Sequence, residues 1–155
     1  MPSKKLKEFL DSKKVKYIKI EHAPAYTAQE IAQSAHIPGK ELAKTVIINI
    51  DGKMAMAVLS ANYSIDFDYF RKETGAKKLE LVSEEQFKDK FPDCEIGFMP
   101  PFGNLYGMDV YVDKHLTKDK EIAFNAGAHL ELFKMSYQDF EKLVKPKVLR
   151  FSDTL

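Results

Sequence analysis

The chain has 155 residues with 24 Lys and Arg against 23 Asp and Glu, a formal charge of +1. Hydrophobic residues make up 45% and charged residues 30%, which excludes disordered, collagenous and fibrous classes and fits one globular domain of ordinary size. No apolar run approaches the ~20 residues of a membrane helix, and the near-zero charge argues against a protein that wraps nucleic acid. The start, Met1 to Lys14, lacks an apolar stretch before a small-residue cleavage site and does not read as a secretory signal, so the expected location is cytoplasmic. The single Cys94 leaves no internal disulfide and no CxxC zinc site.

In chain order, Ser3 to Asp11 reads as a short amphipathic helix with Leu6, Phe9 and Leu10 on one side. Tyr17 to Ile20 alternates apolar and charged residues, as a strand does. Thr27 and Glu30 form a capping-box pattern that starts a helix near Ala28, ended by Pro38-Gly39. Thr45 to Ile50 and Met54 to Leu59 are apolar runs joined by Asp51-Gly52, the pattern of a core hairpin. Asp66 to Thr74 reads as a helix closed by Gly75, and Leu79 to Val82 as a short strand. Ser83 and Gln86 open a helix to about Lys90. Glu95 to Tyr106 is Gly- and Pro-rich and reads as a loop. Strands follow at Met108 to Asp113, Glu121 to Phe124 and His129 to Lys134, and Ser136 caps a last helix from Tyr137 to Val144. Helices mixed with hairpins and long-range strands give an α/β (α+β) class: a single domain, residues 1–155, on one central sheet.

Both chain ends are basic, from Lys4 to Lys19 and from Lys142 to Arg150. They read either as solvated helix faces or as a patch that attracts phosphates.

Three places carry candidate chemistry. His22, His36, His115 and His129 make no HExxH or other zinc spacing, and neither a GxSxG elbow nor a P-loop is present. No metal or other cofactor is expected. Lys44 heads the most apolar strand. There it either carries its ammonium out to solvent or holds a phosphate or polarised carbonyl beside a pocket. The segment Gly97-Phe98-Met99-Pro100-Pro101-Phe102-Gly103 is either a rigid turn or a preorganised rim. Its N–H donors come only from Gly97, Phe98, Met99, Phe102 or Gly103, because proline has none. In Asn125-Ala126-Gly127-Ala128-His129 the small residues allow close backbone approach, and His129 is an acid–base group, a ribose contact or a satisfied core residue.

Together, in this order, these segments resemble the YbaK/ProX family of aminoacyl-tRNA deacylases. The resemblance rests on His22-Ala-Pro-Ala-Tyr-Thr27, Ala43-Lys44-Thr45, Gly97 to Gly103, Val110-Tyr-Val-Asp113 and Phe124-Asn-Ala-Gly127, and covers roughly residues 15 to 145. It implies a compact domain with a mixed, largely antiparallel sheet and flanking helices. It implies hydrolysis of the ester that joins a wrong, small amino acid to the 3′ end of tRNA, by a free-standing enzyme acting in trans. By the same resemblance Lys44 matches the family's lysine and is the catalytic candidate. Gly97, Phe98, Met99, Pro100 and Pro101 match the Gly-x-x-x-Pro substrate loop, while Asn125, Gly127 and His129 line the far side of the pocket. The Asn125–His129 version differs from the forms of the Cys-tRNA and Ala-tRNA branches. The implied partners are the aminoacyl-tRNA acceptor end and an aminoacyl-tRNA synthetase, with neither membrane nor DNA. Two other readings stay open: a catalytically silent tRNA- or synthetase-binding module of the same fold, and a hydrolase of another small acyl ester or amide. If the basic ends converge beside Lys44, they supply a modest phosphate grip that a charge of +1 permits.

Overall fold

The computed structural model describes residues 3–25 and 27–154, so Tyr26 of the His22–Thr27 motif lies outside the described residues. Its elements are α1 (Lys4–Ser12), β1 (Tyr17–Glu21), α2 (Ala28–Ser34), β2 (Leu42–Ile50), β3 (Lys53–Ser60), β4 (Tyr63–Ile65), α3 (Phe67–Thr74), β5 (Leu79–Leu81), α4 (Glu84–Phe87), β6 (Asp109–Asp113), β7 (Glu121–Asn125), β8 (Glu131–Ser136), α5 (Tyr137–Val144), β9 (Lys147–Leu149) and β10 (Ser152–Thr154). Short 3-10 turns occupy 39–41, 88–90, 103–105 and 116–118.

The helices start where a side chain accepts a free N–H of the first turn. Ser3 Oγ accepts from Leu6, Thr27 Oγ1 from Glu30, Asp66 Oδ1 from Tyr69 and Ser136 Oγ from Asp139. At α4 the Gln86 side chain reaches back and its Oε1 accepts from the Ser83 amide (3.0 Å) and hydroxyl (3.1 Å). The α3 helix ends at Gly75 with φ +73°. The β2–β3 turn places both Asp51 (φ +49°) and Gly52 (φ +91°) in the left-handed region, the geometry whose twist matches a hairpin.

The main sheet runs β1-β8-β7-β2-β3-β6-β9, with β5 paired to β2 beside β7, and β4 pairs β10 in a separate ribbon. Among the described residues β2–β7, β3–β6 and β6–β9 are parallel, and the other five pairings are antiparallel. The expected mixed, largely antiparallel sheet with flanking helices is the observed one. Strands β4, β9 and β10 were outside the sequence expectation. The helix at Ala28 ends at Ser34, short of Pro38, because Gly39–Glu41 forms its own 3-10 turn.

Side-chain alternation sorts the core onto two faces. One carries Ala43, Ile47, Met56, Val58, Ile122, Phe124, Phe133 and Met135, covered by Leu6 and Leu10 of α1, Phe140 and Val144 of α5, and Phe102. The other is covered in two separate patches. α2 and Ile37 lie over Leu42, Ala123 and Leu132, whereas Phe70 of α3 and Phe151 lie over Ile48, Ala55, Ala57, Leu59 and Tyr111. Phe70 and Phe151 stack at 4.1 Å.

Buried Asp113 ties the C-terminal segment to this second patch. Its carboxylate accepts from the amides of Phe151 (2.8 Å), Ser152 (3.0 Å) and His115 (3.0 Å) and contacts His115 Nδ1 at 2.7 Å.

Candidate functional site

Lys44 stands at the seam of the two-patch face. Leu42, two residues before it, belongs to the α2 patch, and Ile48, four residues after, belongs to the α3 patch. Neither helix seals the gap, so the half-buried lysine stem lies in apolar surroundings while its ammonium keeps a way out. Among the described residues no carboxylate reaches salt-bridge distance of Lys44. Burial alone lowers its pKa. A desolvated cation without a counter-charge is primed for an electron-rich ligand.

The register aligns other side chains with it. Ile20 pairs Leu132, and Leu132 pairs Asn125. The parallel β2–β7 pairing of Leu42 with Ala123 and Ala43 with Phe124 sets Asn125 one step on, level with Lys44, and Lys44 pairs Leu59. Ile20, Leu132, Asn125, Lys44 and Leu59 thus form one row on one face, with neighbouring strands about 4.8 Å apart. Asn125 is half-buried, and its Oδ1 is buried with no partner among the described residues.

The Gly97–Pro101 segment is bound to the end of β7. Gly127 N–H donates to the Phe98 carbonyl (2.9 Å) and Glu95 N–H to the Gly127 carbonyl (2.8 Å). Gly97 (φ +89°) turns the chain in open space. Gly127 (φ +94°) has none to spare, since a Cβ there would sit 2.9 Å from Ser3 Cβ and 3.2 Å from Cys94 Sγ. Phe98 packs at the edge of the α2 patch and stacks on His129 at 4.6 Å. His129 is in turn fixed by Ala25, whose carbonyl lies 2.5 Å from Nε2, and by Glu95 Oε2, which accepts its amide at 3.0 Å.

The structure thus brings Lys44, Asn125, Gly127, His129, Gly97 and Phe98 to one side of one sheet end. Met99, Pro100 and Pro101 are buried under the loop and serve as its rigid base. Of the backbone donors counted in the sequence, two are spent: Gly97 N–H points to Met99 Sδ, and Phe98 N–H donates to the Glu95 carbonyl. Met99 N–H has no acceptor among the described residues. Phe102 and Gly103 have turned into the core, where a Cβ on Gly103 would meet the Met108 carbonyl at 2.5 Å.

The basic ends do not converge on Lys44, and the phosphate grip expected from them fails. The apolar sides of α1 and α5 pack on the opposite face of the sheet, and β9 lies at the far edge. Lys19 pairs with Glu131 at 3.2 Å, and Lys147 approaches Asp109 at 4.0 Å.

Sequence reasoning passed over His22 and the Ala25 carbonyl as site components. The available signal was strand parity: His22 continues the alternation of Ile18 and Ile20 onto the Lys44 face.

Cys94 is no nucleophile in waiting. Burial pushes its thiol up to about 11, with the Asp93 carboxylate adding to the rise. Asp93 is itself partly buried, yet hydrogen bonds from Ser3, Tyr106 and Cys94 hold it below the usual carboxylate range. That cluster anchors the chain start beneath Gly127. A cleft of about 670 Å³ lies at the Asp51-Gly52 end of the β2–β3 hairpin, lined by Lys53, Lys90, Tyr106 and Asp109, at the opposite end of β2 from Lys44. Among the described residues no three of His, Cys, Asp and Glu come together as a metal site would require. No helix among them is long and apolar enough to cross a membrane.

Comparison with known proteins gives one consistent picture. The family model described as aminoacyl-tRNA editing domain matches residues 22–143. The prolyl-tRNA editing protein ProX of Acetoanaerobium sticklandii is 28% identical over 142 residues, covering 88% of this chain and 86% of that protein. Among solved structures, a hypothetical protein superposes with a TM-score of 0.84 at 18% identity, covering 97% of this chain and 100% of that one. A candidate trans-editing enzyme for prolyl-tRNA synthetase superposes with a TM-score of 0.81 at 18% identity, covering 97% and 96%. These last two likenesses concern the fold.

Proposed function

The chain belongs to the aminoacyl-tRNA editing domain family and is an aminoacyl-tRNA deacylase, and from that premise we propose that it removes a small, wrongly attached amino acid from tRNA at the Lys44 site. The need for such an enzyme is energetic. A synthetase pocket gains only ~1–3 kcal/mol by rejecting a side chain one methylene smaller, so a second, hydrolytic sieve must clear the error.

The observation that carries the placement is a desolvated, unpaired Lys44 beside Asn125, next to a loop locked onto Gly127. In the proposed reaction water attacks the ester carbonyl carbon and gives a tetrahedral oxyanion. The bond to the ribose oxygen then breaks, that oxygen takes a proton, and the free amino acid leaves. The ester is already activated, so the protein contributes position and electrostatics. Lys44 faces the developing negative charge or the adjoining terminal phosphate. Met99 N–H, the loop donor left without an internal acceptor, is a further donor for the oxyanion. Gly97 and Phe98 hold the ester, Pro100 and Pro101 stiffen that loop from beneath, and Asn125, Gly127 and His129 line the aminoacyl side. No metal enters this scheme.

The partners are the acceptor end of tRNA, of the proline system by likeness to the ProX relative, and a synthetase acting in sequence with this enzyme in the cytoplasm. The test is release of free amino acid from a panel of misacylated tRNAs by the purified protein. Turnover with intact tRNA as co-product is expected. Binding that leaves every ester intact would instead favour the catalytically silent module.

A further inference from the structure

Two histidines near the Lys44 row are fixed by carbonyls of one short segment. His22 lies just past β1, its amide donating to the Leu130 carbonyl at 3.1 Å, and it is 8% exposed. Its Nδ1 sits 2.8 Å from the Ala23 carbonyl oxygen. Only a ring N–H satisfies that contact, so Nδ1 carries the proton and Nε2 is left as an acceptor in the neutral ring. Nε2 is fully buried and has no partner among the described residues. His129 is the mirror case. Its Nε2 donates to the Ala25 carbonyl, which leaves Nδ1 as the acceptor. The two rings lie 6.2 Å apart, and the ring of Phe98 stacks on His129. Asn125 Oδ1, on the same face, is a third acceptor and is also buried without a partner among the described residues.

A buried acceptor without a donor is costly, and folded proteins carry few. Two in one site, His22 Nε2 and Asn125 Oδ1, with the acceptor Nδ1 of His129 beside them, mark the seat of a ligand group that donates. At an aminoacyl ester the phosphate and the carbonyl only accept, and a ribose hydroxyl both donates and accepts. The α-ammonium alone has three donors, a positive charge and no lone pair, and an aromatic face such as that of Phe98 suits it as well. Building on the deacylase reading, we infer that His22, with His129, forms the seat for the α-ammonium of the bound aminoacyl group. His22 is then a positioning and recognition residue of the reaction. The ammonium rests against the histidines, the carbonyl turns toward Lys44, and two positive charges are kept at opposite ends of the substrate.

The test compares two esters of one tRNA. One is the misacylated tRNA that the wild-type protein hydrolyses best. The other is the same tRNA after nitrous acid has converted its amino acid to the hydroxy acid, which replaces the ammonium by a hydroxyl. His22→Asn keeps a donor toward the Ala23 carbonyl and loses the acceptor at Nε2. It is expected to lower kcat/KM on the aminoacyl ester about 10- to 100-fold, as loss of a hydrogen bond to a charged group does, and to change the hydroxyacyl ester less than about threefold. His22→Gln restores an acceptor near Nε2 and recovers most of the loss. His22→Phe keeps the ring shape and gives the same selective loss as His22→Asn. Equal losses on both esters, or none on either, overturn the assignment. Failure of both His22→Asn and His22→Phe to fold assigns His22 a structural role and overturns it too. A wild-type protein that hydrolyses no aminoacyl ester overturns the deacylase reading itself, an outcome distinct from these.

Discussion

Replacing Gly127 by alanine tests how the loop is held against the sheet. Two costs add. At φ +94° an L-residue is strained by roughly 1–3 kcal/mol. The new Cβ would lie 2.9 Å from Ser3 Cβ, 3.0 Å from Ser3 N and 3.2 Å from Cys94 Sγ. Ser3 cannot simply step aside, because its amide donates to the Ala126 carbonyl and its hydroxyl to Asp93. Overpacking against such fixed neighbours costs about 1–3 kcal/mol more. The sum is roughly 2–6 kcal/mol, which lowers Tm by roughly 5–20 °C in a domain of this size. Gly97→Ala is the internal control: its φ is +89°, yet nothing lies within 4 Å of its Cβ position, so only the strain applies. Urea titration of both variants and the wild type measures the difference. A Gly127→Ala cost no larger than that of Gly97→Ala would refute the close-approach argument.

Three further outcomes follow from groups outside the reacting centre. Burial raises the Asp119 carboxyl to about 6 from 3.8. Between those values the folded state binds more protons than the unfolded one, so stability falls as pH rises from about 4 to 6. Asp119→Asn should therefore raise Tm above pH 6 and leave it nearly unchanged near pH 4; the same gain at both would contradict this. Because the thiol of Cys94 is pushed from 9.0 to about 11, at pH 8 it holds roughly 100-fold less thiolate than an ordinary cysteine. Native protein should resist iodoacetamide at that pH, and rapid stoichiometric labelling would refute the burial. Asp113→Ala leaves the buried amides of Phe151 and Ser152 without their acceptor, at a cost of about 2–4 kcal/mol by chemical denaturation; a loss under about 0.5 kcal/mol would show that the clamp is dispensable.

Much of the fold could be read because its signals are local. Ser3, Thr27, Asp66 and Ser136 each sit a few residues from the amides they cap. Asp51-Gly52 specifies its own turn. The strands β4, β9 and β10 were illegible for the opposite reason. Each is three residues long, and the buried Asp113 that holds Phe151 and Ser152 is 38 and 39 positions away from them.

The site divides in the same way. Lys44, Gly97 and Gly127 announce themselves by residue type and place. The row that sets Asn125 level with Lys44 needs a parallel pairing across some eighty residues, which composition does not encode. The basic ends misled because a count of lysines carries no information about which sheet face they adorn. Amphipathic α1 and α5 could have packed on either side. Their apolar residues went to the Ala43–Phe124 face, and their charge went with them.

On the proposed mechanism, aminoacyl ester hydrolysis depends on the ammonium of Lys44. The direct measurement is single-turnover release of amino acid from the preferred misacylated tRNA by wild-type protein and by Lys44→Met, alongside their Tm values. Methionine keeps an unbranched apolar stem at the seam and removes a desolvated charge without a counter-charge. Tm is expected to be unchanged or slightly raised and the rate lowered by roughly 100-fold or more, as for loss of one oxyanion donor. A folded Lys44→Met protein that hydrolyses the ester at the wild-type rate would contradict that mechanism.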